Sequence, residues 1–353
     1  MAQADAAATL RDRVAAGDAV SDLDCSGLDL SRTELAGAIF ERVNFAGCHL
    51  EGSDLREAMF FGCDFTGSVF AGADLRRTVF ESCRLPNADL GAVRLSSARI
   101  VNSDLSAARL GGTNLEMTTF VECVLVGADL KGARLLQTNF IKVKLDGADL
   151  TGTHLRQVVL TDTDLRTTAL TGARVELSVL TNVNLAGVAL PEAQWEKTQL
   201  MGADLSEVDF SRARLSQSNF KGAKLTKARF DAADLAQTLL VEASAAGASF
   251  RGARLFQAIL LKCDLTLADL TDAQLEQAHL SHTRCANARF TGADLRYADF
   301  SHADLTDGDF NGAAFLRTNF HRAQRTGTFF SSQSGILSED RERTDAETWQ
   351  PKH

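Results

Sequence analysis

Leu125-Val126-Gly127-Ala128-Asp129-Leu130-Lys131-Gly132-Ala133-Arg134-Leu135-Leu136-Gln137-Thr138-Asn139-Phe140-Ile141-Lys142-Val143-Lys144-Leu145-Asp146-Gly147-Ala148-Asp149-Leu150 places a large apolar residue at every fifth position. Extended outward, the same series runs from Leu30 to Phe320 and lapses only at Ala245 and Cys285. A helix turns about 100° per residue, so a step of five would spread these side chains around its whole circumference. A strand alternates faces, so an odd step would throw successive leucines to opposite sides. A chain that bends once per repeat buries them all, each five residues forming one short extended side and one corner.

The position two before each large residue agrees. It reads Thr33, Ala38, Val43, Cys48, Ser53, Ala58 and continues small to Thr318, with Leu28 the one large member. A small residue recurring beside a large one points inward near a crowded corner. The residue between them, often Asp, Asn or Arg (Asp74, Asn114, Arg134, Asp149), points outward. Gly72, Gly127, Gly147 and Gly292 precede small residues and suit a turn that needs positive φ. With three prolines in 353 residues, most backbone N–H groups are left for a hydrogen-bond ladder.

Gly72-Ala73-Asp74-Leu75, Gly127-Ala128-Asp129-Leu130, Gly147-Ala148-Asp149-Leu150 and Gly292-Ala293-Asp294-Leu295 resemble the A-(D/N)-L-x-x motif of pentapeptide-repeat proteins. The resemblance covers about residues 28–330. It implies an all-β fold, a right-handed quadrilateral parallel β-solenoid with four pentapeptides per coil, whose units touch only their neighbours. At that coil size the repeats make about 15 coils. Positions 20 apart then stack, and two columns support this. One is Gln137, Gln157, Gln217, Gln237, Gln257 and Gln277, interrupted by Leu177 and Lys197, where stacked amides can form a ladder. The other is Arg94, Arg134, Arg174, Arg214 and Arg254, spaced by Asn114, His154, Gln194 and Asp234. A Phe-rich inward column (Phe40, Phe60, Phe80, Phe120, Phe140, Phe220, Phe300, Phe320) is expected to stack ring on offset ring.

Three segments follow: an N-terminal helical cap over 1–22, the repeat solenoid over 23–330 and a polar C-terminal tail over 331–353. Asp5 to Ala16 is Ala-rich with Leu10 and Val14 four apart and Gly17 as its stop, so a short helix is expected to cap the first coil. Thr328 and Phe330 still keep register, although Arg325 does not. In the tail, Thr344-x-x-Glu347 resembles a capping box and Trp349 could anchor the segment to the last coil; a disordered tail is the other reading.

Composition narrows the function. No basic n-region with a continuous apolar stretch opens the chain, and no apolar run approaches the ~20 residues of a transmembrane helix. Cys25, Cys48, Cys63, Cys83, Cys123, Cys263 and Cys285 are odd in number and mostly inward, which favours reduced, buried thiols and a cytoplasmic setting. Cys63 and Cys83 fall in adjacent coils and could pair, but stacked thiols are the ordinary expectation. No phosphate loop, zinc-spaced Cys pair or HExxH occurs, and an uninterrupted solenoid leaves little room for a catalytic cleft, so no enzyme activity and no cofactor are expected. His282 and His302 are 20 apart and should stack on an outer side, where solvated surface histidines are the ordinary reading; no metal site is expected there. His49, His154, His279, His321 and His353 offer no better constellation.

An apolar stripe flanks one inward column: Ile39, Met59, Val79, Val159, Val179, Leu239 and Ile259 before it, and Phe61, Val101, Val121, Ile141, Met201, Val241 and Leu261 after it. An exposed stripe of that extent marks a binding surface, although strand propensity alone also places β-branched residues there. The arginine column is a second candidate, able to meet an acidic partner. The expected partner is another protein, with self-association through the C-terminal end or the apolar stripe as a further mode. Net charge −9 and a pI near 5.3 argue against direct nucleic-acid binding. The family resemblance implies two more specific roles. Some members mimic duplex DNA and bind DNA gyrase, protecting it from quinolones; this chain has the acidity but neither an inserted loop nor one-signed charge. The opening Asp24-Cys25-Ser26-Gly27-Leu28-Asp29-Leu30 and the tail Glu347-Thr348-Trp349-Gln350-Pro351 look similar to members encoded with bacterial type VI secretion components, which act as adaptors.

Overall fold

Five consecutive N–H groups explain why the repeat folds as it does. Gly127 donates to Asp146 O (2.8 Å), Ala128 to Leu125 O (3.1 Å), Asp129 to Ala108 O (3.0 Å) and Leu130 to Asp149 O (2.9 Å). Three of these bonds join neighbouring coils, and the Ala128 bond closes the corner. The fifth donor, Lys131 N–H, is accepted by the Asp129 carboxylate at 3.0 Å. The same side-chain acceptance recurs from Ser26 to Asp24, Arg56 to Asp54, Thr151 to Asp149 and Thr306 to Asp304. An Asp or Asn two residues back satisfies the one amide the ladder leaves over, which is why the outward position favours those residues.

The computed structural model describes residues 2–338 and 341–349 and is a parallel β-solenoid. Strand partners are 20 residues apart up to Asp309↔Phe329, with a corner every five residues, so each turn has four sides; the last bridge, Thr318↔Ile336, spans 18. It comprises two compact units, one ending at Asn184 and one starting at Leu185.

The first unit opens with α1 (Ala2–Ala16), longer than the predicted helix. Gly17, at φ +77°, donates to Val14 O while Asp18 donates to Arg13 O, a Schellman stop that requires a left-handed residue. Leu10 of this helix is fully buried, and α1 lies against the first strand. The strands are β1 (Val20–Ser21), β2 (Ile39–Glu41), β3 (Met59–Phe61), β4 (Val79–Glu81), β5 (Arg99–Val101), β6 (Thr119–Val121), β7 (Asn139–Ile141), β8 (His154–Arg156), β9 (Val159–Thr161) and β10 (Arg174–Glu176). Eight of them form one parallel sheet in the order β1-β2-β3-β4-β5-β6-β7-β9, and β10 pairs with β8. This ladder counts eight turns where the repeat length predicts about 15 coils. In the second unit single-residue bridges, from Ala189↔Asp209 to Asp309↔Phe329, replace strands at the same 20-residue register. A five-residue side with a corner at each end leaves one residue extended; in the first unit one column stretches to three residues over most of its length, and a second does so at β8 and β10.

The core is filled as the spacing predicts. Phe60 stacks between Phe40 and Phe80 with ring centroids 5.0 and 4.9 Å apart, and meets Phe65 edge-on at 5.0 Å. In the second unit Phe230 lies 5.1 Å from Phe250, and Phe300 5.1 Å from Phe320. Phe330 stacks on Phe310 at 5.0 Å, so register holds to the end of the repeats. The small inward residues that carry hydroxyls donate them to backbone carbonyls: Ser68 to Phe45 O, Thr118 to Leu95 O and Thr238 to Leu235 O, each at 2.7 Å. Trp195 replaces a Leu in the core; its Nε1 is buried without a partner among the described residues.

All seven cysteines are free and buried. Burial first, with the neighbouring Cys48 and Asp24 adding to it, pushes Cys25 up to about 12; burial likewise pushes Cys123 up to about 11. The Cys25 and Cys123 thiols stay protonated and inert at neutral pH.

The tail departs from expectation twice. Its helix, α2 (Arg341–Thr348), begins three residues before Thr344, so Thr344 lies inside the helix rather than capping it; its carbonyl accepts the Thr348 hydroxyl at 2.8 Å. Trp349 is 73% exposed and anchors nothing in the described structure, because it follows the helix end. The fastening residue is Glu347, treated below. Gln350 and Pro351 of the tail motif, and His353, lie outside the described residues.

The turn carboxylates carry a pH dependence. Hydrogen bonds from Arg56, Arg76, Arg166 and Arg296 hold Asp54, Asp74, Asp164 and Asp294 below the usual carboxylate range. The unfolded chain therefore takes up protons first as pH falls, and the stabilisation, present above about pH 4, is lost as pH drops through the lower folded values. Thermal melts should show a midpoint insensitive to these groups from pH 8 to 5 and falling below about pH 4. A midpoint that rises on acidification would contradict the assigned sign.

Candidate interaction surface

In the first unit the sheet displays its outer face through the first and third residues of each strand. Register sets Met59 beside Val79, and Val101 beside Val121 beside Ile141. Phe61 stands between Glu41 and Glu81, and Arg99, Thr119 and Asn139 separate Val79 from Val159. Val159 bridges Val179. In the second unit Leu239 bridges Ile259, with Asn219 and His279 on either side, and Val241, Leu261 and Met201 flank the same inward column. Every one of the apolar side chains in this stripe is half-buried rather than exposed. Neighbours about 4.8 Å apart along the ladder cover one another, so the stripe offers side-chain edges rather than whole faces.

More exposed apolar side chains lie elsewhere in the repeats. Met117, Leu177, Leu267 and Tyr297 are 43–66% exposed and sit at corners. Each has a φ between +52° and +61°, as do the glutamines of the predicted column. A corner residue with positive φ carries its side chain away from the core, whatever its polarity. The sequence marks these corners chiefly where glycine fills them; Leu177 stands out only as a break in the glutamine column, and Met117, Leu267 and Tyr297 carry no such signal.

In the glutamine column the structure forms a ladder in the second unit. Gln217, Gln237 and Gln257 each donate Nε2–H to the next Oε1 at 2.9 Å, ending on Gln277. Gln137 and Gln157 occupy the same corner in the first unit and are exposed. The arginine column is exposed, and three of its arginines lie beside acids. Arg94 lies 3.8 Å from Asp74 in the first unit, where Arg134 and Arg174 flank His154. Arg214 lies 3.0 Å from Glu196 and Arg254 3.5 Å from Asp234 in the second. Exposed pairs of this kind contribute roughly 0–1 kcal/mol each, so they balance charge more than they stabilise. Beside Arg134, His154 and Arg156 lies a hollow of about 390 Å³.

The chain matches the family model for pentapeptide repeats (8 copies) in overlapping segments that together cover residues 24–96, 103–176 and 178–332. Among solved structures it is similar to a trypsin-treated variant of QnrB1, a plasmid-mediated fluoroquinolone resistance protein, at 19% identity and TM-score 0.41, over 57% of this chain and 90% of that one. It is similar to HetL, a pentapeptide repeat protein involved in heterocyst differentiation regulation from the cyanobacterium Nostoc sp. strain PCC 7120, at 22% identity and TM-score 0.20, over 84% and 94%. A third is the pentapeptide repeat protein Rfr23 from the cyanobacterium Cyanothece 51142, at 20% identity and TM-score 0.21, over 50% and 90%. No curated protein sequence matches the chain. Among the described residues no helix is long and apolar enough to cross a membrane.

Proposed function

The chain belongs to the pentapeptide-repeat family, and from that premise we propose that it is a non-enzymatic scaffold that binds another protein. The observation that carries this reading is the in-register run Val101–Val121–Ile141 on the outer face of the eight-stranded sheet. Three apolar side chains in line, each backed by a fully hydrogen-bonded strand, form a surface that loses little conformational entropy when a flat apolar face docks on it. Phe61, separated from Val101 by Glu81, and the pair Met59–Val79 in the other row add apolar surface to the same sheet. Seven buried, reduced thiols suit a cytoplasmic protein. The resemblance of Asp24–Leu30 to proteins encoded beside type VI secretion components makes an adaptor in such a system our specific reading, and effector or spike genes adjacent to its own would support it.

A DNA-mimicking, gyrase-binding role is less well supported. It needs dense charge of one sign, whereas acids here meet cations one coil away: Asp89 with Arg109 at 3.2 Å, Asp204 with Lys224 at 3.4 Å and Asp264 with Arg284 at 2.7 Å. A gyrase ligand should inhibit supercoiling at stoichiometric amounts.

The binding surface is tested with Phe61→Asp combined with Val121→Asp in pull-downs from native lysate. Capture of the partner should fall at least about tenfold, since a charge at a buried contact loses more than about 1.4 kcal/mol. Unchanged capture by a variant with a wild-type circular dichroism spectrum would sink the assignment.

A further inference from the structure

The Glu347 carboxylate of helix α2 meets the last coils. Glu347 Oε2 lies 3.2 Å from His321 Nε2, 3.4 Å from His302 Nε2 and 3.3 Å from Arg322 Nη1. The His321 ring is buried, and its Nδ1 has no partner among the described residues. His302 meets it edge-on at 5.7 Å and stacks on His282 at 4.7 Å with the rings 2° from parallel. One ligand atom from each of His302, His321 and Glu347 lies within 4.8 Å of the other two.

We propose that His302, His321 and Glu347 form a site for a divalent transition-metal ion of the Zn²⁺ type, which fastens α2 to the final coil. The spacing fits. Tetrahedral Zn²⁺ holds nitrogen and oxygen at about 2.0–2.2 Å, which sets neighbouring ligand atoms about 3.3 Å apart. The two distances to Glu347 Oε2 fall on either side of that value. Two imidazoles and a carboxylate select Zn²⁺, Co²⁺ or Ni²⁺ over the hard ions Mg²⁺ and Ca²⁺, which prefer all-oxygen shells. The ligand set leaves a fourth position for water.

Two features set the affinity. Arg322 competes for the same carboxylate oxygen. His321 Nδ1 lacks the outer acceptor that orients most metal-bound imidazoles, an omission worth about 10–100-fold. A dissociation constant in the micromolar range follows, rather than the nanomolar range of a fully supported site. Repeat arithmetic could not find this cluster. It pairs residues 20 apart and so selects His282 with His302, whereas His302 and His321 are 19 apart and Glu347 comes from outside the repeats.

The test uses the full chain, stripped with chelator and titrated with ZnCl₂ by calorimetry, with Co²⁺ absorption as a second probe. One ion per chain is expected. Glu347→Gln and His302→Ala should each weaken binding at least about tenfold, and His282→Ala should leave it within about threefold of wild type. Zn²⁺ should also slow trypsin cleavage within α2 of the wild-type protein but not of Glu347→Gln. Both substitutions alter side chains that are only partly buried, so the fold should survive them. Absence of binding up to about 1 mM Zn²⁺, or binding undiminished in Glu347→Gln and His302→Ala, would overturn the proposal.

Discussion

Phe60→Ala should destabilise the first unit by about 3–5 kcal/mol, the range for truncating a buried aromatic. Phe60 is 1% exposed and belongs to two sets of contacts at once. Along its column it stacks on Phe40 and Phe80; across the core it meets Phe45 at 6.1 Å and Phe65 at 5.0 Å edge-on. Removing the ring forfeits its transfer free energy and leaves a cavity bounded by four other phenylalanines. The coil cannot collapse into that cavity, because its backbone is hydrogen-bonded to the coils on both sides. Phe61→Ala, one residue on but outward and half-buried, should lose under about 1.5 kcal/mol. Urea denaturation of the two variants checks the contrast. Comparable losses at both positions would mean that the inward column is not the core.

Ala223→Asp should be similarly severe, with a loss of about 3–5 kcal/mol or failure to fold. Ala223 is fully buried at the small inward position, its N–H closing the corner on Phe220 O at 2.9 Å and its carbonyl accepting from Ser244. A carboxylate there would face apolar side chains with no cation in reach, and the coil has no slack to carry it to water. Ala223→Ser is the informative control and should cost under about 1 kcal/mol. Ser68, Ser218 and Thr238 occupy equivalent positions, and each donates its hydroxyl to a backbone carbonyl, at 2.7 to 2.9 Å. The position thus tolerates a small donor and rejects an acceptor-only charge. A soluble, fully folded Ala223→Asp protein with a wild-type melting point would refute that rule.

The contrast between those two substitutions also marks how far the chain's own pattern reaches. A five-residue rhythm of large side chains is buried by a chain that bends once per repeat, so a solenoid with an apolar core follows from residues 30 to 320 alone, whereas its 20-residue coil was implied by the family resemblance, with the glutamine and arginine columns in agreement. The stop at Gly17 is equally local, because a left-handed residue after an alanine-rich helix closes it. The role of Asp129 and its equivalents was visible only as an outward preference. That it accepts the single N–H left over by the ladder becomes evident once every backbone donor has been followed to its partner.

What surrounds the repeats was decided by tertiary structure. Repetition constrains a residue through its copies 20 positions away, and the tail has no copies. Glu347 reads in sequence as half of a capping box, yet the helix begins earlier and its carboxylate turns to His321 and His302. The apolar stripe shows the same limit from the other side. Its residues were identified by number, but their half-burial depends on which neighbours the ladder lays beside them, and the more exposed Met117, Leu267 and Tyr297 owe their exposure to left-handed corners. Periodicity therefore determined the core and the coil, where every position is constrained by its equivalents above and below. The surface and the C-terminal cluster were decided by side chains that meet once, and such meetings exist only in the folded chain.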